Sequence, residues 1–475
     1  MIQKVLYFPQ TFPIFQEAYD FSVNAKKQTA TQHLFTNKQL RTLLVPIMVE
    51  QLLSSLMGTA DTMMVSNVGS AAISAVSLVD AINILVIQAL SALAAGGAIL
   101  CSQYLGSQNL KEAKRSAEQV LFVMIVLSCS LSLLCLIFRF PLLHLIFGTV
   151  DTDVMANSQI YFFFTLLSFP FIGLYDAGAS ILRAQNNTKG PMTISILSNF
   201  LNIGGNAILI FVFGMGVAGA AISTLVSRMF CAIVVIWQLR NPAEQIYVRN
   251  YFSIRPDWSL IKRVLFIGIP SGIENSMFQF GKLAIQSTVS TLGTVAIAAQ
   301  AMTNILEALN GIAAMGVGIG LMTVVGQCIG AKRKDEAIYY IKKLSWLSEI
   351  VILISCAVVY LLANPVTILG GMEAESARLC LQMVAFITIT KPISWVLSFI
   401  PAYGMRAAGD VKFSMITSCA SMWLCRVSLC IFLCRFCGFG PIAVWIGMFA
   451  DWSVRAVVFM IRFHSRKWLQ HHVID

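Results

Sequence analysis

Asp61 lies in an unbroken apolar run, LLSSLMGTADTMMV, where an ionised carboxylate costs about 2.5–3.5 kcal/mol to insert into a bilayer. A carboxylate retained at that cost either binds something or has a partner. At about 1.5 Å per residue it sits roughly 28 Å along a helix from Leu43, in the outer half of a membrane. There it can alternate between a protonated form and one that holds an ion or organic cation. The bland alternative is an acid sealing a helix end at the interface. Glu50, eleven residues earlier, returns to nearly the same helix face.

Other residues invite the same question. Asn199, Asn202 and Asn206 recur at i, i+3 and i+7 and form a polar stripe on an apolar helix. Such amides either glue helices together or line a wet cavity. Lys282, Glu307 and Lys391 lie deep in apolar segments, and a buried lysine needs a partner, for which Glu274 and Glu307 are available. A Lys–Glu network that locks helices competes here with a substrate or coupling site. Asp176 and Arg183, seven apart on one segment, are expected to pair. Cys430, Cys434 and Cys437 could share a helix face, yet no histidine or second cysteine pair completes a metal site, so no metal is expected. No HExxH, P-loop or Asp-rich metal motif is present, so the chain does not read as an enzyme.

The elements that carry these residues are transmembrane helices. The 475 residues are 57% hydrophobic and 12% charged, about half the charge of a soluble domain, with mean hydropathy +0.77. Apolar blocks are expected at about 43–66, 72–104, 117–138, 157–182, 191–213 and 216–239, then 264–290, 294–328, 343–363, 379–403, 413–434 and 440–461. Those spans make an all-α integral membrane protein of twelve helices. The divisions expected are an N-terminal tail 1–40, an N-lobe 41–239, a linker 240–263, a C-lobe 264–462 and a C-terminal tail 463–475.

The chain contains one stretch twice. Residues 45–113 fall on 269–337 at a shift of 224 without a gap, with Pro46 on Pro270, Glu50 on Glu274, Gly96 on Gly320, Gln103 on Gln327 and Gly106 on Gly330. Arg183-Ala184 is echoed by Arg406-Ala407 at a shift of 223. Two six-helix halves in the same orientation imply a pseudo-two-fold axis along the membrane normal and rocking about a central site, the organisation of a transporter. Glu50 and its mate Glu274 could then gate the cytoplasmic side between lobes, or cap polar contacts with basic loops. Asp61 has Ile285 as its mate, so the halves are chemically unequal. Gly316, Gly318 and Gly320 read as close helix packing.

The net charge is +11, and 25 of the 33 Lys and Arg residues lie in the tails and in loops after even-numbered spans. The positive-inside rule places both termini in the cytoplasm. The charge therefore belongs to topology, and no nucleic-acid partner is implied.

The motif Pro46…Glu50…Gly58-x-x-Asp61-Thr62…Gly69-x-x-Ala72, followed by Gly96-Gly97…Gln103-x-x-Gly106, resembles the first two helices of the MATE (multidrug and toxic compound extrusion) family. The Arg-Ala loops, with Gly409-Asp410 completing the second, resemble its loops after helices four and ten. The resemblance covers about residues 38–465. It implies a V-shaped pair of six-helix lobes in a bacterial plasma (inner) membrane, a monomer, exporting lipophilic or amphipathic organic cations in exchange for H⁺ or Na⁺, with no other cofactor. It places Asp61 at an ion-coupling or cation-binding position and Asn202 at a cavity position. Several members carry Asp where Asn206 stands. Two C-lobe acids that some bacterial members use for Na⁺ are replaced near Phe278 and Trp395, which leans the reading toward H⁺. The alternative is a flippase of lipid-linked or amphipathic metabolites from the same superfamily. Such flippases line a groove with arginines, whereas Arg228, Arg426 and Arg455 are expected at span ends.

Overall fold

A computed structural model describes residues 33–474, apart from 149, 252, 253 and 472. Expectations for residues 1–32 of the N-terminal tail lie outside the described residues. The first helix, α1 (Asn37–Ser66), starts where Thr36 accepts from the Gln39 backbone and Gln39 answers at the Thr36 N–H, a reciprocal cap. The second and third are α2 (Ser70–Gly106) and α3 (Leu110–Ile137), the latter capped by Asn109 accepting from the Glu112 N–H. There follow α4 (Thr152–Ala184), α5 (Lys189–Val212) and α6 (Gly216–Leu239). The second half repeats the set as α7 (Trp258–Ser290), α8 (Thr294–Gly330), α9 (Lys334–Leu369), α10 (Ala374–Ala407), α11 (Val411–Arg435) and α12 (Ile442–His464).

These helices overrun the expected spans by a few residues at most ends. One short helix, Arg139–Phe147, was not anticipated. Among the described residues, ten of the helices are long and apolar enough to cross a membrane. The other two are α1 and α7, with 30 and 33 residues, so their shortfall is one of composition. They are repeat mates, and they carry Glu50 and Asp61 in one lobe and Glu274 and Lys282 in the other. The twelve helices together form the expected two-lobed all-helical membrane fold.

The repeat is visible in local geometry. Gly69 and Gly293, which open α2 and α8, have φ of 140° and 95°, backbone that a side chain would strain. Pro46 and Pro270 lie inside α1 and α7. The fifth helix of each lobe contains a π turn, Ala207–Val212 in α5 and Met422–Val427 in α11. Such turns locally break the i→i−4 ladder and re-aim side chains.

Each lobe has its own apolar core, and the lobes exchange ends. Leu40, Leu43, Leu44 and Ile47 of α1 belong to the C-lobe core, and Leu260 and Val264 of α7 to the N-lobe core. Small residues allow the crossings. A Cβ at Gly96 would stand 2.8 Å from the Gly268 nitrogen, and one at Gly316 would stand 2.9 Å from Met48 Cα. The expected close packing along Gly316, Gly318 and Gly320 is therefore present, against Met48, Tyr403 and Leu44. The linker folds onto the N-lobe, where the Ile246 N–H donates to Gln185 Oε1 at 2.8 Å and Asn187 donates to Glu244 at 2.6 Å.

Candidate functional site

The half of the N-lobe away from the basic loops holds an acidic cluster. Asn206 Nδ2 donates to Asp61 Oδ1 at 2.5 Å, joining α5 to α1 just before the π turn begins. Asp80 on α2 and Arg228 on α6 lie within electrostatic range of Asp61. Asp80 Oδ1 accepts from Asn83 at 3.1 Å and from the Tyr161 hydroxyl of α4 at 3.3 Å. Arg228 donates to Ser168 Oγ at 2.7 Å. Sequence reasoning missed Asp80, Tyr161 and the inward placement of Arg228. The signal for Asp80 was present: it too is a lone carboxylate in an apolar helix.

The asparagine stripe divides by role. Asn199 donates to the Leu53 carbonyl of α1 at 3.1 Å. Asn202 donates to Thr224 at 3.3 Å, and its own carbonyl accepts from Ser223 at 2.8 Å, both on α6. These two hold helices together, and Asn206 faces the carboxylate.

Toward the basic loops, Arg183 pairs with Glu50 at 2.5 Å, and the Tyr175 hydroxyl donates to the same oxygen at 3.0 Å. The repeat mates make the same pair in the C-lobe, Arg406 to Glu274 at 2.6 Å. The expected Asp176–Arg183 pair is corrected: Asp176 is within electrostatic range of Arg183, but the guanidinium's ion pair goes to Glu50 on another helix. Of the two readings of Glu50 and Glu274, a gate between lobes or a cap on polar contacts with the basic loops, the pairs seen are of the second kind, each glutamate holding an arginine of its own lobe. What crosses between lobes here is amide to backbone. Gln103 Nε2 donates to the Ala407 carbonyl at 2.7 Å, and Gln327 Nε2 donates to the Ala184 carbonyl at 2.8 Å. Gly106 and Gly330 permit the approach, since a Cβ at either would overlap the backbone carbonyl of Gln327 or Gln103.

In the C-lobe, fully buried Lys391 donates to Glu307 Oε1 at 2.7 Å and to the Glu307 carbonyl at 3.1 Å. This is the Lys–Glu pair that the sequence suggested. Lys282 makes no hydrogen bond or ion pair among the described residues, and its charged neighbours are Arg426 and Glu307. Arg426 and Arg455 are not at span ends. They are 7% and 0% exposed, inside α11 and α12. Arg455 lies over the Phe399 and Phe278 rings at 4.3 and 5.1 Å, and 3.8 Å from Asp451.

A family model described as MatE matches residues 46–208 and 270–432, two segments related by the same 224-residue shift seen in the sequence. The chain belongs to the MatE family. The MatE protein is 29% identical over 434 residues to an uncharacterized transporter of Bacillus subtilis, YisQ, covering 90% of this chain and 93% of that one. It is 26% identical over 453 residues to a probable multidrug resistance protein, NorM, of Thermotoga maritima, covering 92% and 94%. A solved multidrug resistance MATE family transporter, described as outward-facing, superposes with a TM-score of 0.81 at 19% identity, covering 92% of this chain and 98% of that one. That likeness shows the shared fold.

Proposed function

We propose that this MatE protein is a secondary active exporter of lipophilic organic cations, exchanging them for H⁺ by rocking of its two lobes. One observation carries the reading: Asp61, held by Asn206, shares the N-lobe interior with Asp80 and a single guanidinium, Arg228. Two carboxylates and one guanidinium leave one negative charge to be neutralised inside an apolar wall. A proton or a substrate cation can supply that charge, one excluding the other, and that exclusion is the chemistry of antiport. Names of relatives such as the Thermotoga protein support the multidrug part of the reading.

The basic loops then face the cytoplasm of a bacterial inner membrane, with both ends of the chain on that side. The Gln103 and Gln327 contacts close the cytoplasmic side, so the site opens outward. The test is ethidium efflux from proteoliposomes under separately imposed ΔpH and Na⁺ gradients. Efflux that follows ΔpH and disappears in Asp61→Asn supports the reading. Efflux that follows only Na⁺ overturns the H⁺ part, and no efflux of any cationic dye overturns the whole.

A further inference from the structure

The C-lobe interior has the opposite polarity. Lys282, Glu307, Lys391 and Arg426 form one electrostatic group, and Arg426 links through Asp451 to Arg455, Glu274 and Arg406. Five cations meet three carboxylates in this run. Lys391 is neutralised by Glu307 at 2.7 Å and Arg406 by Glu274 at 2.6 Å. Asp451 is left to serve both remaining guanidinia. It accepts from Ser421 at 2.5 Å and reaches Arg455 only at 3.8 Å, beyond hydrogen-bond distance. Lys282 and Arg426 have no ion-pair partner among the described residues.

The donors tell the same story independently. Nε and both terminal nitrogens of Arg455 are buried without a hydrogen-bond partner, as is Nε of Arg426. Buried donors are nearly always satisfied, and a guanidinium does not escape by losing its proton. Oδ2 of Asp451, 3.8 Å from Arg455, is buried without a hydrogen-bond partner as well, so that pair is loosely matched and the surplus positive charge of the group is what an anion would offset.

On α7, Asn275 contacts Gln88 of the N-lobe, and Lys282 lies seven residues further on, two turns along the same face, with its side chain exposed. Arg426, buried in α11, is its positive neighbour. The rings of Phe278, Phe399 and Trp395 flank the cations, Trp395 lying 5.5 Å from Lys391 Nζ. Guanidinium forks match planar oxyanions, and the aromatic flanks suit an organic body.

We infer that the C-lobe contains a second binding site, with Lys282 and Arg426 as its cationic contacts and Arg455 behind them, that takes a small organic anion, a carboxylate or phosphate ester, from the inter-lobe cleft. The site goes beyond the cation-export reading and shares no residue with it.

Equilibrium dialysis of full-length protein in nanodiscs with radiolabelled benzoate, competed by inorganic phosphate, tests the site without any transport assay. Saturable benzoate binding is expected, weakened about 10-fold or more by Lys282→Gln and by Arg426→Gln, partly retained in Arg426→Lys, and intact in Asp61→Asn. If Arg426→Gln does not fold, Lys282→Gln decides, because that side chain is exposed. Displacement by phosphate marks a general oxyanion site, and its failure marks a carboxylate-selective one; both support the proposal. No saturable binding of either probe up to about 10 mM overturns it. So does binding that is indifferent to both substitutions, or binding lost in Asp61→Asn. Absent ethidium efflux with benzoate binding intact would reject the cation reading alone.

Discussion

At the scale of single residues, the two lobes use one frame for different chemistry. Asp61 is matched across the repeat by Ile285, and the C-lobe answers with cations instead. Asp61→Asn should therefore abolish ΔpH-driven ethidium export while leaving expression and monodispersity unchanged. Asp80→Asn should reduce that export without abolishing it, because Asp80 is already satisfied by Asn83 and Tyr161; initial rates in proteoliposomes check both. Glu50→Gln acts differently, since it strips Arg183 of its counter-ion at a buried position. Removing one partner of a buried pair costs about 3–5 kcal/mol. A clear fall in detergent melting temperature is expected for Glu50→Gln, and little change for Tyr175→Phe, which leaves that ion pair in place. The Glu50–Arg183 contact was not legible from the chain, where the seven-residue spacing set Arg183 on Asp176. Spacing reports which side chains share a helix face, whereas the fold brought Arg183 of α4 a better partner on α1, 133 positions away. Asp80 was legible by the rule that found Asp61. Arg426 and Arg455 were misplaced because charges in apolar segments are expected to snorkel to the ends, and these two are instead buried, Arg455 over Phe399 and Phe278 and Arg426 within electrostatic range of Asp451.

At the scale of helices, most of the architecture could be read in advance. Apolar runs marked the positions of the twelve helices, although α1 and α7 fall short of a membrane-crossing composition, and the 224-residue shift paired the halves, because a strict repeat keeps turns, prolines and crossing glycines in register. The asparagine stripe was read as one feature, but it splits once α6 is seen alongside: two amides join helices and the third meets a carboxylate. No pattern announced the π turns in α5 and α11. The crossing of α2 and α8 carries a prediction of its own. Gly106→Ala or Gly330→Ala places a methyl where a backbone carbonyl now sits, so the closed arrangement on the basic side should be lost. Thiol accessibility of a cysteine introduced there, or spin-label distances across it, should shift toward the open state in either variant. Gln103→Ala and Gln327→Ala should each loosen the same side, and the double variant more than either.

For the whole molecule, the lobes meet at the end bearing the basic loops, where the ends of α1 and α7 are exchanged between cores. Away from that end, Lys282 is left exposed beyond the Asn275–Gln88 contact. Lys282→Cys, with the exposed Cys129 and Cys437 replaced by serine, should react with a membrane-impermeant thiol reagent applied from the side opposite the basic loops. Protection of that cysteine in the resting protein would show that the cleft opens the other way.

The two glutamine contacts end on main-chain carbonyls. No substitution at Ala184 or Ala407 can delete its acceptor, so each bond can be lost only from the donor's side or by displacing the helix end. A genetic selection for variants that fail to close should therefore return an uneven map. Hits should gather at 103, 106, 327 and 330 and be sparse at 184 and 407, although all six positions meet at the same crossing. The repeat doubles the glutamine bonds, so single hits at 103 or 327 should be leaky and fuller loss should come from combining the two, one from each half of the gene, whereas a single hit at 106 or 330 suffices.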